Sequence, residues 1–232
     1  MNTNKKTAII VGALFILGFA GIPSVALTGP ILNTPDYLIK ISANENQLIL
    51  GALFQLIMAF ACASIAIGLY PVLRRHNEAL ALGSVGFRII EAVFLYVPAI
   101  CLLALMTLSQ EYVKAGTPDF QTIGALLLAV RDWAGQVLAQ IAFILGALMY
   151  YYVFYRSKLI PRWLSGWGLI AATLHLVGIL LTMFGQIGSF STIQAVLALP
   201  IAVNEMVLAV WLIVKGFNPF AIASLSANTD TN

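Results

Sequence analysis

The chain has 232 residues, of which 61% are hydrophobic and only 9% are charged, with a net charge of +3. Because a soluble domain carries about 25% charged residues, these values exclude an ordinary soluble globule and a disordered regulator. The two cysteines, Cys62 and Cys101, lie within apolar runs and so form no disulfide framework. The charge is also too small and too scattered for nucleic-acid binding, so the composition indicates a multi-pass protein whose partner is the lipid bilayer.

Six apolar segments are long enough to cross a bilayer as helices, which takes roughly 20 residues each. In chain order they cover residues 7–28, 47–72, 80–108, 133–155, 162–186 and 192–215. The sequence therefore predicts an all-α, polytopic membrane helix bundle with about six transmembrane helices. We expect a single multi-pass domain over residues 1–223, followed by a disordered cytoplasmic tail over the polar residues 224–232.

Two segments have more than one interpretation. Residues 120–130 are apolar but too short to span, so they form either an interfacial helix or an outer extension of the fourth helix. At the start, Lys5, Lys6 and an apolar run before Ser24 are also typical of a cleavable signal peptide. The run is longer than the usual apolar region of about 7–15 residues, which favours a first helix that is retained.

The basic residues are distributed unevenly between the two sides of the predicted bundle. With the N-terminus inside, only Lys40 and Lys114 lie in outer loops. The cytoplasmic ones are Lys5, Lys6, Arg74, Arg75, Arg156, Lys158, Arg162 and Lys215. This bias predicts a multi-pass protein of the inner cell membrane with both termini cytoplasmic. Aromatic residues that indicate the inner interface end the fourth helix: Tyr150, Tyr151, Tyr152 and Tyr155.

Three sequence stretches, in their order and spacing, resemble an uncharacterised prokaryotic membrane family, the domain of unknown function (DUF) 4386. They are LYPVLRR at 69–75 with GFRIIE at 86–91, YRS at 155–157 with IPRWLSG at 160–166, and NE at 204–205 with LAVWLIVKG at 208–216. The resemblance implies a compact multi-pass bundle in a bacterial or archaeal cell membrane. It places Arg88, Glu91 and Glu205 at the family's charged intramembrane motifs and implies no activity.

Charged residues within the predicted helices are the best indicators of a functional site, because they are expensive in a membrane. Arg88 and Glu91 are three residues apart on one face of the third helix, and Glu205 follows Asn204 on the sixth. With a rise of about 1.5 Å per residue, Arg88, Glu91 and Glu205 lie roughly 12–16 Å from the inner boundary. We therefore predict that the third and sixth helices face each other and that Arg88 pairs with both carboxylates.

This polar cluster of Arg88, Glu91, Glu205 and Asn204 has three interpretations. It is a buried ion-pair cluster that fixes helix packing, or a site where the surplus carboxyl group takes up a proton or holds a cation, or a site where Arg88 holds an anionic or zwitterionic ligand. The two interpretations with a ligand or proton correspond to a small-solute or proton-linked carrier, or to a membrane sensor. The alternative is a structural or regulatory membrane subunit with no transported ligand.

Further polar side chains lie inside the predicted helices, namely His175, Gln55, Gln136 and Gln140. They either line an outward-opening cavity above the charged residues or form interhelical hydrogen bonds. A lone intramembrane histidine does not make a metal site, and no motif implies a cofactor. HExxH, GxSxG and phosphate-loop motifs are missing, so we expect no enzyme. The sequence identifies neither a ligand nor an oligomeric state.

Overall fold

The structure is a computed structural model that describes residues 3–222. The described helices are Thr3–Leu17, Gly21–Leu32, Tyr37–Ala43, Glu45–Leu73, Glu78–Ala115, Asp119–Asp132, Ala139–Ser157, Arg162–Met183 and Thr192–Val214, with a 3₁₀ turn at Gly18–Ala20 and a π-helical segment at Trp133–Leu138. The predicted all-α fold is confirmed. The predicted tail over residues 224–232 lies outside the described residues.

Six helical spans are long and apolar enough to cross a membrane. From the first to the sixth they are Thr3–Leu32, Glu45–Leu73, Glu78–Ala115, Asp119–Ser157, Arg162–Met183 and Thr192–Val214. Residues 119–132 continue through the π-helical segment into the fourth span, so they extend that span and do not form a separate interfacial helix. The first span continues through its 3₁₀ turn to Leu32, some residues beyond the end that was predicted.

The outer surface of the bundle is apolar. Large aliphatic and aromatic side chains more than half exposed lie on all six spans, among them Ile10, Phe60, Ile100, Leu126, Ile170 and Val210. A water-soluble protein of this size would not expose so large an apolar surface. Together with the length of the helices, this surface makes the chain a multi-pass membrane protein.

The six spans form a closed ring in chain order. Each span packs against the next, and the sixth packs against the first. The ring has two ends. We call the end with residue 3, loops 74–77 and 158–161, and residue 214 the terminal end, and the end with loops 33–36, 116–118 and 184–191 the loop end. Because each loop turns the chain back on itself, neighbouring spans run antiparallel.

The contact between the first and sixth spans closes the ring. At Gly12 the two helices are so close that a Cβ atom would lie 2.7 Å from the carbonyl oxygen of Ala209, so only glycine fits without a backbone shift. At the terminal end, Lys5 Nζ donates hydrogen bonds to the carbonyl oxygens of Ile213 (3.0 Å) and Val214 (2.7 Å). These carbonyls belong to the last turn of a helix, where a cation is favourable.

The apolar core lies mainly in the terminal half of the ring. Fully buried side chains from all six spans fill it, including Phe15, Leu69, Ala81, Tyr150, Tyr151, Phe154, Leu164 and Leu208. A smaller cluster lies at the loop end, where the short helix Tyr37–Ala43 packs on the third span. Between these two clusters the inside of the ring is not filled, and the polar residues singled out above lie there.

Candidate functional site

Arg88 is held by three neighbouring spans in the interior of the ring. Its Nη1 lies 3.0 Å from Oε2 of Glu91, one helical turn further along the third span. Its Nε donates a hydrogen bond to the carbonyl oxygen of Cys62 on the second span (3.3 Å), and its guanidinium carbon lies 4.9 Å from the ring centre of Phe143 on the fourth. Arg88 is only 1% exposed, so its charge is compensated within the protein, by Glu91 and by the Phe143 ring.

Glu205 is not ion-paired with Arg88, so that part of the prediction is wrong. Its Oε1 accepts a hydrogen bond from the hydroxyl of Tyr150 (2.9 Å), and no lysine, arginine or histidine of the described chain lies within 4 Å of its carboxylate. The third and sixth spans occupy opposite positions in the ring, so they face each other across a cavity and do not pack together. The helical rise placed the residues at one depth, but depth does not determine which spans touch.

Asn204 is buried below the cavity and is not part of the ionic cluster. Its Oδ1 accepts a hydrogen bond from the hydroxyl of Tyr151 (2.6 Å), and its Nδ2 donates one to the carbonyl oxygen of Leu164 (3.0 Å). The residue therefore joins the fourth, fifth and sixth spans. Tyr150 and Tyr151 are fully buried, so they are not the interfacial residues that their position at a span end indicated.

The interior of the ring contains two adjacent chambers. The charged chamber, of about 420 Å³, is lined by side chains from all six spans, among them Phe15, Cys62, Arg88, Glu91, Gln140, His175 and Glu205. The loop-end chamber, of about 380 Å³, is lined by Gln55, Asn33 and the Arg131–Asp132 pair, among others. The two chambers share wall residues, including Phe19, Met58, Gln136, Gln140 and Phe190. The cavity thus leads from the loop end to the three charged residues.

Aromatic side chains lie between the charged chamber and the terminal end. Tyr150 contacts Glu205 with its hydroxyl, and its ring packs on those of Tyr151 and Phe154, with centroids 4.6 and 6.0 Å away. Tyr150, Tyr151 and Phe154 are fully buried. These buried rings therefore fill the space between Glu205, on the wall of the chamber, and the terminal end.

All four side chains that were proposed to line a cavity lie on its walls. Gln55 faces the loop-end chamber, Gln136 and Gln140 face both chambers, and His175 faces the charged chamber. The alternative of interhelical hydrogen bonds also holds for one pair, because Nε2 of His175 lies 3.1 Å from Oε1 of Gln140. Within residues 3–222 no three His, Cys, Asp or Glu side chains come together in a way that could hold a metal ion.

Three buried polar atoms on the wall of the charged chamber form no hydrogen bond with any other described residue. They are Oε2 of Glu91, Nδ1 of His175 and Oε1 of Gln194. The Glu91 oxygen is ion-paired with Nη1 of Arg88 at 3.0 Å, whereas the His175 and Gln194 atoms have neither a hydrogen bond nor an ion pair among the described residues. Such atoms are costly in a folded protein unless water or a ligand reaches them.

Gln194 was missed by the sequence analysis. It precedes Glu205 by 11 residues, which is close to three helical turns, so the two share a face of the sixth span. That spacing is the signal that could have identified it. The π-helical segment Trp133–Leu138, which places Gln136 on the wall of the cavity, has no comparable signal in the sequence. Such segments occur frequently at functional sites.

The closed ring and its interior polar cavity define a helical multi-pass membrane protein with a buried polar site. The chain belongs to the family described as domain of unknown function (DUF4386), whose family model matches residues 10–216. The resemblance found in the sequence is thus confirmed over nearly all of the described residues. No curated protein and no solved structure matches the chain.

Proposed function

We propose that this protein is a small-solute carrier of the prokaryotic inner membrane, and that it binds its solute in the charged chamber. The observation that carries the proposal is the cavity that leads from the loop end to Arg88, Glu91 and Glu205. In a structural subunit these charges would only hold helices together, in a contact that neither water nor a ligand has to reach. A chamber of about 420 Å³ lined by unpartnered polar atoms leaves packing incomplete, and this is explained by a ligand that fills it.

The charge balance of the chamber supports linkage of transport to a cation or a proton. Arg88 and Glu91 compensate each other at 3.0 Å, whereas within residues 3–222 the hydrogen-bond partner of Glu205 is the neutral Tyr150 hydroxyl. A carboxyl group within a membrane takes up a proton or pairs with a cation. Glu205 is therefore the residue we assign to proton or cation exchange.

The proposal is one of binding and transport and not of catalysis. Ser165, the serine on the helix that carries His175, donates its hydroxyl to carbonyl oxygens of its own turn, those of Pro161 (3.4 Å) and Arg162 (3.3 Å). It therefore gives His175 no nucleophile to activate.

The distribution of basic residues supports an orientation with the terminal end in the cytoplasm, because eight of the twelve lysines and arginines lie there and only Lys40 and Lys114 lie at the loop end. The cavity then opens away from the cytoplasm. Single cysteines at Thr3, Asn77 and Lys114, in a chain with Cys62→Ala and Cys101→Ala, test this arrangement. We expect a membrane-impermeant maleimide to label only the Lys114 position in intact cells. Labelling at Thr3 or Asn77 would show the opposite orientation.

Flux through proteoliposomes tests the carrier function. Vesicles that contain a pH-sensitive dye are exposed in turn to small amines, carboxylates, sugars and inorganic cations. We expect at least one class to change the internal pH, and we expect this change to be lost in Glu205→Gln. The matched control is Glu111→Gln, which neutralises an exposed glutamate at the loop end and should leave flux unchanged.

The remaining outcomes of this experiment distinguish the other functions. Binding of a solute without any flux identifies a sensor that uses the same chamber. If every class of solute fails both to bind and to cross, the carrier proposal is wrong and the charged residues serve the packing of the helices.

A further inference from the structure

We infer that the charged chamber binds a small organic cation that carries N–H hydrogen-bond donors, such as a primary ammonium. The inference depends on the proposed function only in treating the chamber as a ligand site. It concerns the chemical class of the ligand and holds for a carrier and a sensor alike.

The first step is the net charge that a ligand would meet. The Arg88 guanidinium is already engaged by the Glu91 carboxylate, by the Cys62 carbonyl oxygen and by the Phe143 ring. Glu205 contributes a second carboxyl group, which accepts a hydrogen bond from a neutral hydroxyl, that of Tyr150. With Glu205 ionised, the chamber therefore has a net negative charge, which attracts a cation and repels an anion.

The second step is the polarity of the unpartnered atoms. Oε1 of Gln194 is an amide oxygen, which can only accept a hydrogen bond. Oε2 of Glu91, beside Arg88, is likewise only an acceptor when the Glu91 carboxyl group is ionised. For His175 the neighbouring amide decides the tautomer. The amide nitrogen of Gln140 donates to the carbonyl oxygen of Gly135, so its oxygen is the atom that lies 3.1 Å from Nε2 of His175.

Nε2 of His175 must then be the donor, and in the neutral ring Nδ1 is left as an acceptor. The two chamber atoms that have neither a hydrogen bond nor an ion pair among the described residues, Oε1 of Gln194 and Nδ1 of His175, therefore both accept hydrogen bonds. A ligand that satisfies them must supply several donors, as a primary ammonium does with its three N–H groups. A carboxylate or an ether offers none.

The third step is the apolar part of the wall. Four phenylalanine rings and a methionine face the charged chamber, namely Phe15, Phe19, Phe143, Phe190 and Met58. Aromatic faces bind ammonium groups and the carbon chains attached to them. A volume of about 420 Å³ is also far larger than a bare ion needs. The wall thus fits an organic cation better than an inorganic one.

Binding to the purified full-length protein tests the inference with four matched probes. Phenethylammonium has both the charge and the N–H donors, phenethyltrimethylammonium has the charge alone, phenethyl alcohol is neutral, and hydrocinnamate is anionic. We expect phenethylammonium to bind and to raise the unfolding temperature in detergent. The other three should bind at least about tenfold more weakly, because each lacks the charge, the N–H donors or both, and hydrogen bonds to charged groups are the strong ones.

Two variants assign the binding to the chamber. Glu205→Gln should weaken phenethylammonium at least about tenfold and leave phenethyl alcohol unchanged, because only a charge is removed. Gln194→Met, which removes an acceptor without changing any charge, provides the same test if Glu205→Gln does not fold. Glu111→Gln is the control for loss of a carboxylate elsewhere and should bind like the unmodified chain.

The inference is overturned if phenethyltrimethylammonium, hydrocinnamate or phenethyl alcohol binds as tightly as phenethylammonium, or if the folded variants bind the ammonium normally. Its failure can be told apart from that of the proposed function. Tight binding of phenethylammonium without flux of any solute retains the inference and contradicts the carrier. Transport of a carboxylate that depends on the chamber retains the carrier and contradicts the inference.

Discussion

Replacing Arg88 by leucine is expected to lower the free energy of unfolding by about 3–5 kcal/mol, the typical result of removing one partner of a buried ion pair. The variant leaves the Glu91 carboxyl group, which is 4% exposed, in the interior without its cation at 3.0 Å. It also frees the Cys62 carbonyl oxygen and removes the group that covers Phe143. Unfolding of the purified protein in detergent, followed by fluorescence or by cysteine accessibility, measures this loss.

Two double variants locate the interaction. Arg88→Leu with Glu91→Gln should recover much of the loss, since no charge is then left without a partner. Arg88→Leu with Glu205→Gln should recover little, because Glu205 is bound by Tyr150 and lies across the chamber from the ion pair. Equal recovery by the two double variants would show that the three charges form a single cluster after all.

Gly168→Ala is expected to lower the free energy of unfolding by about 2–4 kcal/mol, which combines overpacking with the loss of a buried hydrogen bond. A Cβ atom on Gly168 would overlap the ring of Tyr151, which is fully buried and donates its hydroxyl to Asn204 at 2.6 Å. The ring cannot move aside without breaking that hydrogen bond. The fourth, fifth and sixth spans would lose their common contact.

The matched control is Gly166→Ala on the same helix. There a Cβ atom would lie 3.6 Å from the nearest atom of Tyr155, an ordinary van der Waals distance, so we expect little change in stability. Tyr151→Phe removes the hydroxyl alone and separates the hydrogen-bond part of the loss, expected at about 1 kcal/mol. A Gly166→Ala variant as unstable as Gly168→Ala would contradict the close contact at Tyr151.

The sequence predicted the spans and the depth of the charged residues, because both follow from a one-dimensional pattern. Hydropathy identifies a helix long enough to cross a bilayer, and the helical rise places Arg88 and Glu205 at one level. Both residues do line one chamber. The partner of Glu205 could not be predicted this way, since the rise carries no information about the order of the spans around a ring.

Apolar positions were a second source of error. A lipid-facing leucine and a core leucine look alike in a membrane sequence, so hydropathy does not show which face of a span points inwards. Tyr150 and Tyr151 were therefore assigned to the membrane interface from their place near a span end. Their hydroxyls are in fact paired with Glu205 and Asn204, polar residues on a span more than 50 positions further along the chain.

The closed ring also has a consequence for biogenesis. If the helices enter the membrane in the order of synthesis, each new helix finds its neighbour in the ring already inserted beside it. The carboxylate of Glu91 enters on the same helix as Arg88, so this pair is electrically balanced from the moment of insertion. Glu205 enters with the last span, when Tyr150 is already in place to receive it. The chamber is then completed in one late step, when Thr192–Val214 packs on the first span. A nascent chain that stops before this step would have a polar interior that is open to lipid on one side.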